Sequence, residues 1–182
     1  VEMDMHTVSS NNEMVYDPWR RMYLGIAAAN NAIAGANEVN SPDEVKNPIV
    51  AQAYFIRAWY YFHLVRLFGD VPYITEPVDN IEAAKGIPST PEAEVYQNIL
   101  SDLEYAKSWL PETVASRAIP SKAAASSYIA LVNLTMGNYQ AAWDEASEVI
   151  ANAGTYDLAL DPDFQALFDA DRIDASKEPI FS

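Results

Sequence analysis

The sequence predicts an all-α fold, a tetratricopeptide-like helical-repeat scaffold of the alpha-alpha superhelix type. Three observations predict it. Successive segments carry apolar residues at three-to-four spacing, the period of a helix that buries one face. No segment shows convincing apolar/polar alternation, the signature of a half-buried strand. Between Leu131 and Ile150 the turn Gly137-Asn138-Tyr139 is followed by Ala142, Ala146 and Val149, a phrase like that of paired tetratricopeptide helices.

The segment Val1 to Asp17 is polar around Ser9-Ser-Asn-Asn12 and reads as a loop. Asp17-Pro-Trp19 reads as an N-cap followed by proline at the first helical position. The helix after it carries Met22, Ile26, Ala29, Ile33 and Ala36 and ends near Asn37. Ser41-Pro-Asp-Glu44 is a second helix entry, and Pro48 precedes the densest apolar stretch, Ile49 to Phe68. There Ile49, Ala53, Ile56, Tyr60, Leu64 and Leu67 mark one face, while Phe55, Trp59, Phe62 and Phe68 add apolar area elsewhere. Such a helix belongs in a core. Gly69 and Asp70 stop it, and Val71-Pro72 leads away.

Residues 73 to 90 contain Pro77, Gly86 and Pro88 without a steady period, a long connection. Thr90-Pro91-Glu92 opens a helix with Val95, Ile99, Leu103, Ala106 and Leu110, ended by Pro111. Pro120-Ser121 opens the next, through Ile129 and Leu131 to Met136. Tyr139 to Ala153 forms another helix with Gly154 in C-cap position, and Asp161-Pro-Asp163 starts a short one through Phe164, Leu167 and Phe168. At the central turn Gly137 supplies tolerance of positive φ. The alanines allow close helix crossing, and Tyr139 is placed to fill the notch. The expected organisation is one helical domain over residues 1–182 with two helix pairs. The first spans 48–110, interrupted by the loop 73–90, and the second spans 120–153, with the Asp17–Asn37 helix as half of another pair. Stacked pairs of this kind present a concave binding surface.

Twenty-six acidic residues against 11 basic ones give a net charge of −15. No basic stripe exists to displace counterions, which excludes a nucleic-acid partner and disfavours an anionic lipid surface. Neutral ligands such as sugars, or a protein partner, fit this charge. The chain lacks cysteine, so it holds no disulfide, no thiolate nucleophile and no lipid attached to cysteine. No run of 18 or more apolar residues spans a bilayer. A start at Val1 and an end at Glu178-Pro-Ile-Phe-Ser182 read like the interior of a longer protein.

Catalytic patterns are weak throughout. His6 and His63 lack the i,i+4 partner of a metal-binding helix. His63 shares a side of its helix with Gln52 and Arg66 and reads as partly solvated or hydrogen-bonded. Asp169, Asp171 and Asp174 resemble a calcium loop, but Ile173 and Asp174 fall at the fifth and sixth positions and Glu178 arrives at the tenth. Glu92, Glu94, Asp102 and Glu104 fit a solvated helix face better than a glycosidase pair. No glycine-rich phosphate cradle or serine nucleophile elbow is present. The sequence therefore predicts no catalytic residue, no metal site and no cofactor.

Two features stand out. Arg57 lies inside the apolar helix, where an unpaired charge costs several kcal/mol, so it needs a carboxylate. Asp102 and Asp70 are the candidates, in a pair that fixes how helices dock. Tyr16, Trp19 and Tyr73 lie at loop–helix junctions with Asn11 and Asn12 nearby. Aromatic faces with amides suit sugar recognition, and the competing reading is that Trp19 and Tyr73 cap the core.

The phrases Phe55-Ile-Arg-Ala58, Tyr61-Phe62, Leu64-Val65 and Phe68-Gly-Asp-Val-Pro72 resemble the signature of the SusD/RagB family. The likeness runs on through Val95-Tyr96, Asp102-Leu103, Leu110-Pro111, Ser121-Lys-Ala123, Gly137-Asn-Tyr139, Tyr156-Asp-Leu158 and Glu178-Pro-Ile-Phe181. The resemblance implies a surface-exposed outer-membrane lipoprotein that captures glycans or other nutrients. It implies delivery of an oligosaccharide or polysaccharide to a TonB-dependent, SusC-like transporter, on a tetratricopeptide-like scaffold without enzymatic activity. Members of the family are much longer, with a lipidated cysteine absent here and a C-terminal half that supplies much of the binding surface. The alternative from a different class is a tetratricopeptide-type protein–protein adaptor, and a hydrolase is a third.

Overall fold

A computed structural model describes residues 9, 12–78, 86–169 and 176–181. Among them, five α-helices carry the structure: α1 (Glu13–Asn37), α2 (Asp43–Phe68), α3 (Glu92–Trp109), α4 (Lys122–Thr135) and α5 (Tyr139–Ala151). A single turn of 3₁₀-helix follows at Phe164–Phe168. The helices pack in series, α1 on α2, α2 on α3, α3 on α4 and α4 on α5. Extended pairing among the described residues is limited to one antiparallel bridge, Val71 with Thr90, which closes the long connection between α2 and α3. His6, and Asp171 and Asp174 of the acidic run, lie outside the described residues.

The proline read as the start of the first helix lies inside it. The cap of α1 is Asn12, whose side chain accepts the Met14 amide at 2.9 Å, and Pro18 follows in the second turn. Asp17 instead accepts a hydrogen bond from Arg21 Nε at 2.6 Å, one turn along. The entry at Ser41-Pro-Asp-Glu44 is where α2 starts, at Asp43, and the helix runs on without a break through Pro48. A proline in the second turn forfeits a single hydrogen bond near the helix end, which both helices tolerate.

The buried stripe of α2 is Ala51, Phe55, Ala58, Phe62 and Val65, with Arg57, Tyr61 and Leu64 beside it. The face expected from spacing is only partly inside: Leu64 is buried, while Ile49 and Leu67 are exposed. Both rows fit a three-to-four period, because α2 is apolar around most of its circumference. Contact with α1 on one side and α3 on the other decides which row is covered. The expected positions of α3, namely Val95, Ile99, Leu103, Ala106 and Leu110, are all buried.

Glycine ends α2 and α4. Gly69 has φ +70° and donates its amide to Val65 O at 2.9 Å. Gly137 has φ +81°. Around it, Asn138 N donates to Asn133 O at 2.9 Å and Gly137 N to Leu134 O at 3.1 Å, the paired bonds of a Schellman turn. These backbone bonds close the turn without a plug, and Tyr139 points outward instead of filling a notch. The end of α5 also differs from expectation. Its left-handed residue is Asp157 (φ 54°), not Gly154, and Leu158 N closes on Ala153 O at 2.8 Å. The chain then returns to the core through Phe181, whose ring stands edge-on to Phe55 at 5.0 Å.

Candidate functional site

The most elaborate polar arrangement surrounds Arg57 at the centre of α2. Its Nε and Nη2 donate to the two oxygens of Asp102 on α3 at 2.8 and 2.7 Å. Its Nη1 donates to Asn30 Oδ1 on α1 at 3.0 Å. Asn30 in turn donates its amide to Ile74 O at 2.8 Å, and Tyr73 OH donates to Asp102 Oδ2 at 3.3 Å. Three helices and the start of the long connection thus meet at one buried ion pair. Burial opposes the charge on Arg57, but the Asp102 hydrogen bonds and charge outweigh it and raise the guanidinium's pKa. Burial raises the Asp102 carboxyl, while Arg57 and Tyr73 pull it back.

The segment after α2 is held by further hydroxyls. Ile74 N donates to Tyr61 OH at 2.6 Å, and Tyr23 OH donates to Pro72 O at 2.8 Å. Burial pushes the Tyr61 phenol up to about 12, and it raises the phenols of Tyr23 and Tyr73 further. These groups stay neutral donors across the physiological range. They hold Pro72 and Ile74 in place, and residues 73–78 with Ile87 border a shallow depression of about 370 Å³.

Of the two carboxylates expected near Arg57, Asp102 pairs with it. Asp70 acts elsewhere, its Oδ1 accepting the Glu92 amide at 2.8 Å. The helix α3 begins after Pro91 with no cap of its own, so Asp70 caps it from 22 residues away. Among the carboxylates weighed as a glycosidase pair, Glu92, Glu94 and Glu104 are exposed and Asp102 is buried in its ion pair.

The residues expected to contact a ligand do not converge. Trp19 packs edge-on against Phe68 at 4.9 Å and tilts against Tyr23 at 4.9 Å. Tyr73 stacks on Tyr61 at 4.3 Å with its hydroxyl on Asp102. Both are placed as the core-capping reading expects. Asn12 is occupied as a helix cap, and Asn11 lies outside the described residues. Tyr16 is the exception. It is 56% exposed on α1 and borders an open depression of about 670 Å³ with Glu13, Asp17, Pro18 and Arg20.

Sequence reasoning passes over Asn30 and Tyr61, whose partners are backbone groups of a loop with no pattern. It also passes over the outer side of the last helix pair. There Leu131 and Leu134 of α4 and Tyr139 and Trp143 of α5 stand exposed around a groove. Among the described residues, no cluster of three or more His, Asp or Glu side chains converges as a metal site, and no helix is long and apolar enough to cross a membrane.

Residues 1–134 match the family described as "Starch-binding associating with outer membrane", the SusD-like model. A SusD-like protein of Formosa agariphila is 49% identical over 181 residues, covering all of this chain and 36% of the relative. A SusD-like protein of Bacteroides ovatus is 28% identical over 178 residues, covering 88% of this chain and 31% of the relative. Among solved structures, a SusD-like carbohydrate-binding protein of Bacteroides fragilis superposes with a TM-score of 0.87 at 22% identity, over 96% of this chain and 34% of its own. That likeness shows the fold. A laminarin-binding SusD-like protein gives 0.77 at 28% identity, covering 83% and 34% of the two chains. A structure with xylogluco-oligosaccharide gives 0.82 at 25% identity, covering 96% and 36%. The chain spans about a third of the length of the curated relatives it matches. With the family match over residues 1–134 and a relative 49% identical along its whole length, this chain belongs to the SusD-like family.

Proposed function

We propose that this chain is the helical portion of a cell-surface glycan-binding lipoprotein of the outer membrane. In this reading it captures an oligosaccharide or polysaccharide and delivers it to a TonB-dependent, SusC-like transporter, without cleaving it. The observation that carries the reading is the likeness to a laminarin-binding SusD-like protein and to a structure with xylogluco-oligosaccharide. The net charge of −15 agrees with a neutral ligand. Among the residues expected to contact a ligand, Tyr16 is the one best placed to stack on a sugar ring, because it is exposed while Trp19 and Tyr73 are half-buried against Phe68 and Tyr61. Any glycan contact by Asn11, Asn12, Trp19 or Tyr73 comes second to that.

The test is isothermal titration of the full-length protein with laminarin and xyloglucan oligosaccharides. Binding to a neutral glucan, weakened by Tyr16→Ala with an unchanged melting temperature, supports the reading. Binding without a Tyr16 effect moves the site to other residues of the full-length protein. Peptide binding with no glycan affinity favours the adaptor, and turnover lost on changing one acidic residue favours a hydrolase.

A further inference from the structure

Lys107 of α3 reaches a helix that its own does not pack against. Its Nζ donates to both carboxylate oxygens of Glu145 at 2.9 Å and to Glu148 Oε2 at 2.6 Å, both residues on α5. The side chains of Lys107 and Glu145 are 17% and 18% exposed, so water screens this pair weakly. Helix α4 packs on both α3 and α5, whose own backbones do not meet. Among the described residues, every hydrogen bond from α3 to α5 comes from this one ammonium. The other ties of α5 are its packing on α4 and the contact of Val149 with Tyr156, Leu158 and Ile180.

The ammonium sits among more negative charge than it balances. Glu104 lies one turn before Lys107 on α3, and side chains at i and i+3 share a helix face. Three carboxylates, Glu104, Glu145 and Glu148, therefore surround one lysine. Glu112, from the connection after α3, and the buried Tyr156 phenol complete the titratable groups around it. Burial raises the Glu104 carboxyl, Glu145 and Glu148 push it up further, and Lys107 opposes them. Burial works against the charge on Lys107, but its bonds to Glu145 and Glu148 outweigh that and raise its pKa. Lys107 thus stays charged through neutral and acidic pH.

We infer that Lys107, Glu145 and Glu148 form a latch that fixes α5 relative to α3, and that Glu104 makes this latch tighten on mild acidification. While Glu104 is charged it repels both latch carboxylates, and taking up a proton removes that repulsion. A carboxyl raised in the folded state contributes stability that is full below its unfolded value and lost as pH rises through its folded one. The direction is opposite to that of an ordinary salt bridge, which loosens in acid. The latch is independent of the glycan reading.

Hydrogen exchange in the full-length protein, read on peptides of α5 and corrected for the intrinsic pH dependence of the chemistry, tests it. In the wild type, exchange of α5 should slow relative to that of α1 as pH falls from about 7.5 to 5. Glu104→Gln, at an exposed position, should slow α5 exchange about twofold at neutral pH and remove most of its pH response. Lys107→Met should speed α5 exchange about fivefold or more, with α1 unchanged. The wild-type series and Glu104→Gln decide the matter even where Lys107→Met fails to fold. Exchange of α5 that quickens on acidification of the wild type overturns the inference. So does a Glu104→Gln variant that keeps the wild-type pH response, or a folded Lys107→Met variant whose α5 exchanges at the wild-type rate.

Discussion

Arg57 and Asp102 lie 45 residues apart in sequence and form a two-bonded ion pair in which each is only 5% exposed. The partners respond differently to loss of the other. An isolated arginine cannot shed its proton, whereas an isolated aspartate can take one up. Asp102→Ala should therefore cost about 3–5 kcal/mol, because it leaves an uncompensated buried cation. Arg57→Met should cost less, about 1–3 kcal/mol near neutral pH. It should also acquire a steeper pH dependence. Burial already raises the Asp102 carboxyl in the wild type, and without Arg57 only the Tyr73 hydrogen bond opposes it, so its folded pKa rises further above the unfolded value. Stability of that variant is then full at acidic pH and lost as pH rises through the raised pKa. Urea unfolding of both variants between pH 4 and about 8 checks the order and the slope. Equal damage from both, with no pH difference, would refute this pairing as the source of the effect.

Asp70 and Glu92 make a cap that no local pattern announces. The helix α3 starts after Pro91, and the orphan amide of Glu92 is taken by Asp70 from the end of α2. Asp70→Ala should cost about 0.5–2 kcal/mol, in the range of an ordinary N-cap deletion. Asp70→Asn, which keeps an acceptor, should recover most of it. Hydrogen exchange at the first turn of α3 gives the local reading, with faster exchange expected in the alanine variant.

The helices are legible in the sequence because their signals are local. Pro111, Ser121 and Gly137 act within one turn of themselves, and the spacing of Val95, Ile99, Leu103 and Ala106 chooses one face of α3 unambiguously. The start of α1 misleads because proline suits both the first position and a tolerated second turn. Asn12 followed by Glu13 is an available cap signal upstream of Pro18. The charge argument on Arg57 reaches Asp102, since a buried cation narrows its own partners. It cannot reach Asn30, whose role is set by a loop carbonyl 44 residues away. Trp19 and Tyr73 stand at junctions, where a ligand contact and a core cap look alike in sequence, and tertiary packing draws both inside. Which row of α2 is buried depends on neighbours on two sides, information that a single helix does not carry.

Two glycines of α1 should respond oppositely to alanine. A Cβ on Gly25 would come within 2.1 Å of the Tyr60 ring, while one on Gly35 meets nothing within 4 Å. Alanine gains about 1 kcal/mol over glycine in an open helix interior. Gly35→Ala should therefore stabilise by about 0.5–1 kcal/mol. At Gly25 the same gain is overwhelmed by the clash, and a net loss of about 1–3 kcal/mol is expected. Gly25→Ala combined with Tyr60→Ala should recover part of that loss relative to Tyr60→Ala alone, a coupling that a double-mutant cycle measures directly.

His63 should carry a pH dependence of its own. Its ring lies 4.4 Å from Trp59 and 5.8 Å from Phe62, and its Nε2 is buried without a hydrogen-bond partner. Burial first, and the neighbouring Arg66 second, lower its pKa below 6.5. The folded state resists a proton that the unfolded chain accepts, so this contribution is present above the unfolded value and lost as pH falls below it toward the folded pKa. His63→Phe keeps a ring against Trp59 and removes both the titration and the unpaired nitrogen. Near pH 7.5 the variant should match or exceed the wild type, and the difference should widen in its favour as pH falls from about 7 to 5.5. Urea midpoints measured in parallel across that window decide it. A wild-type protein that holds its margin over the variant down to the acidic end would show that His63 gains a partner on protonation, contrary to its packing.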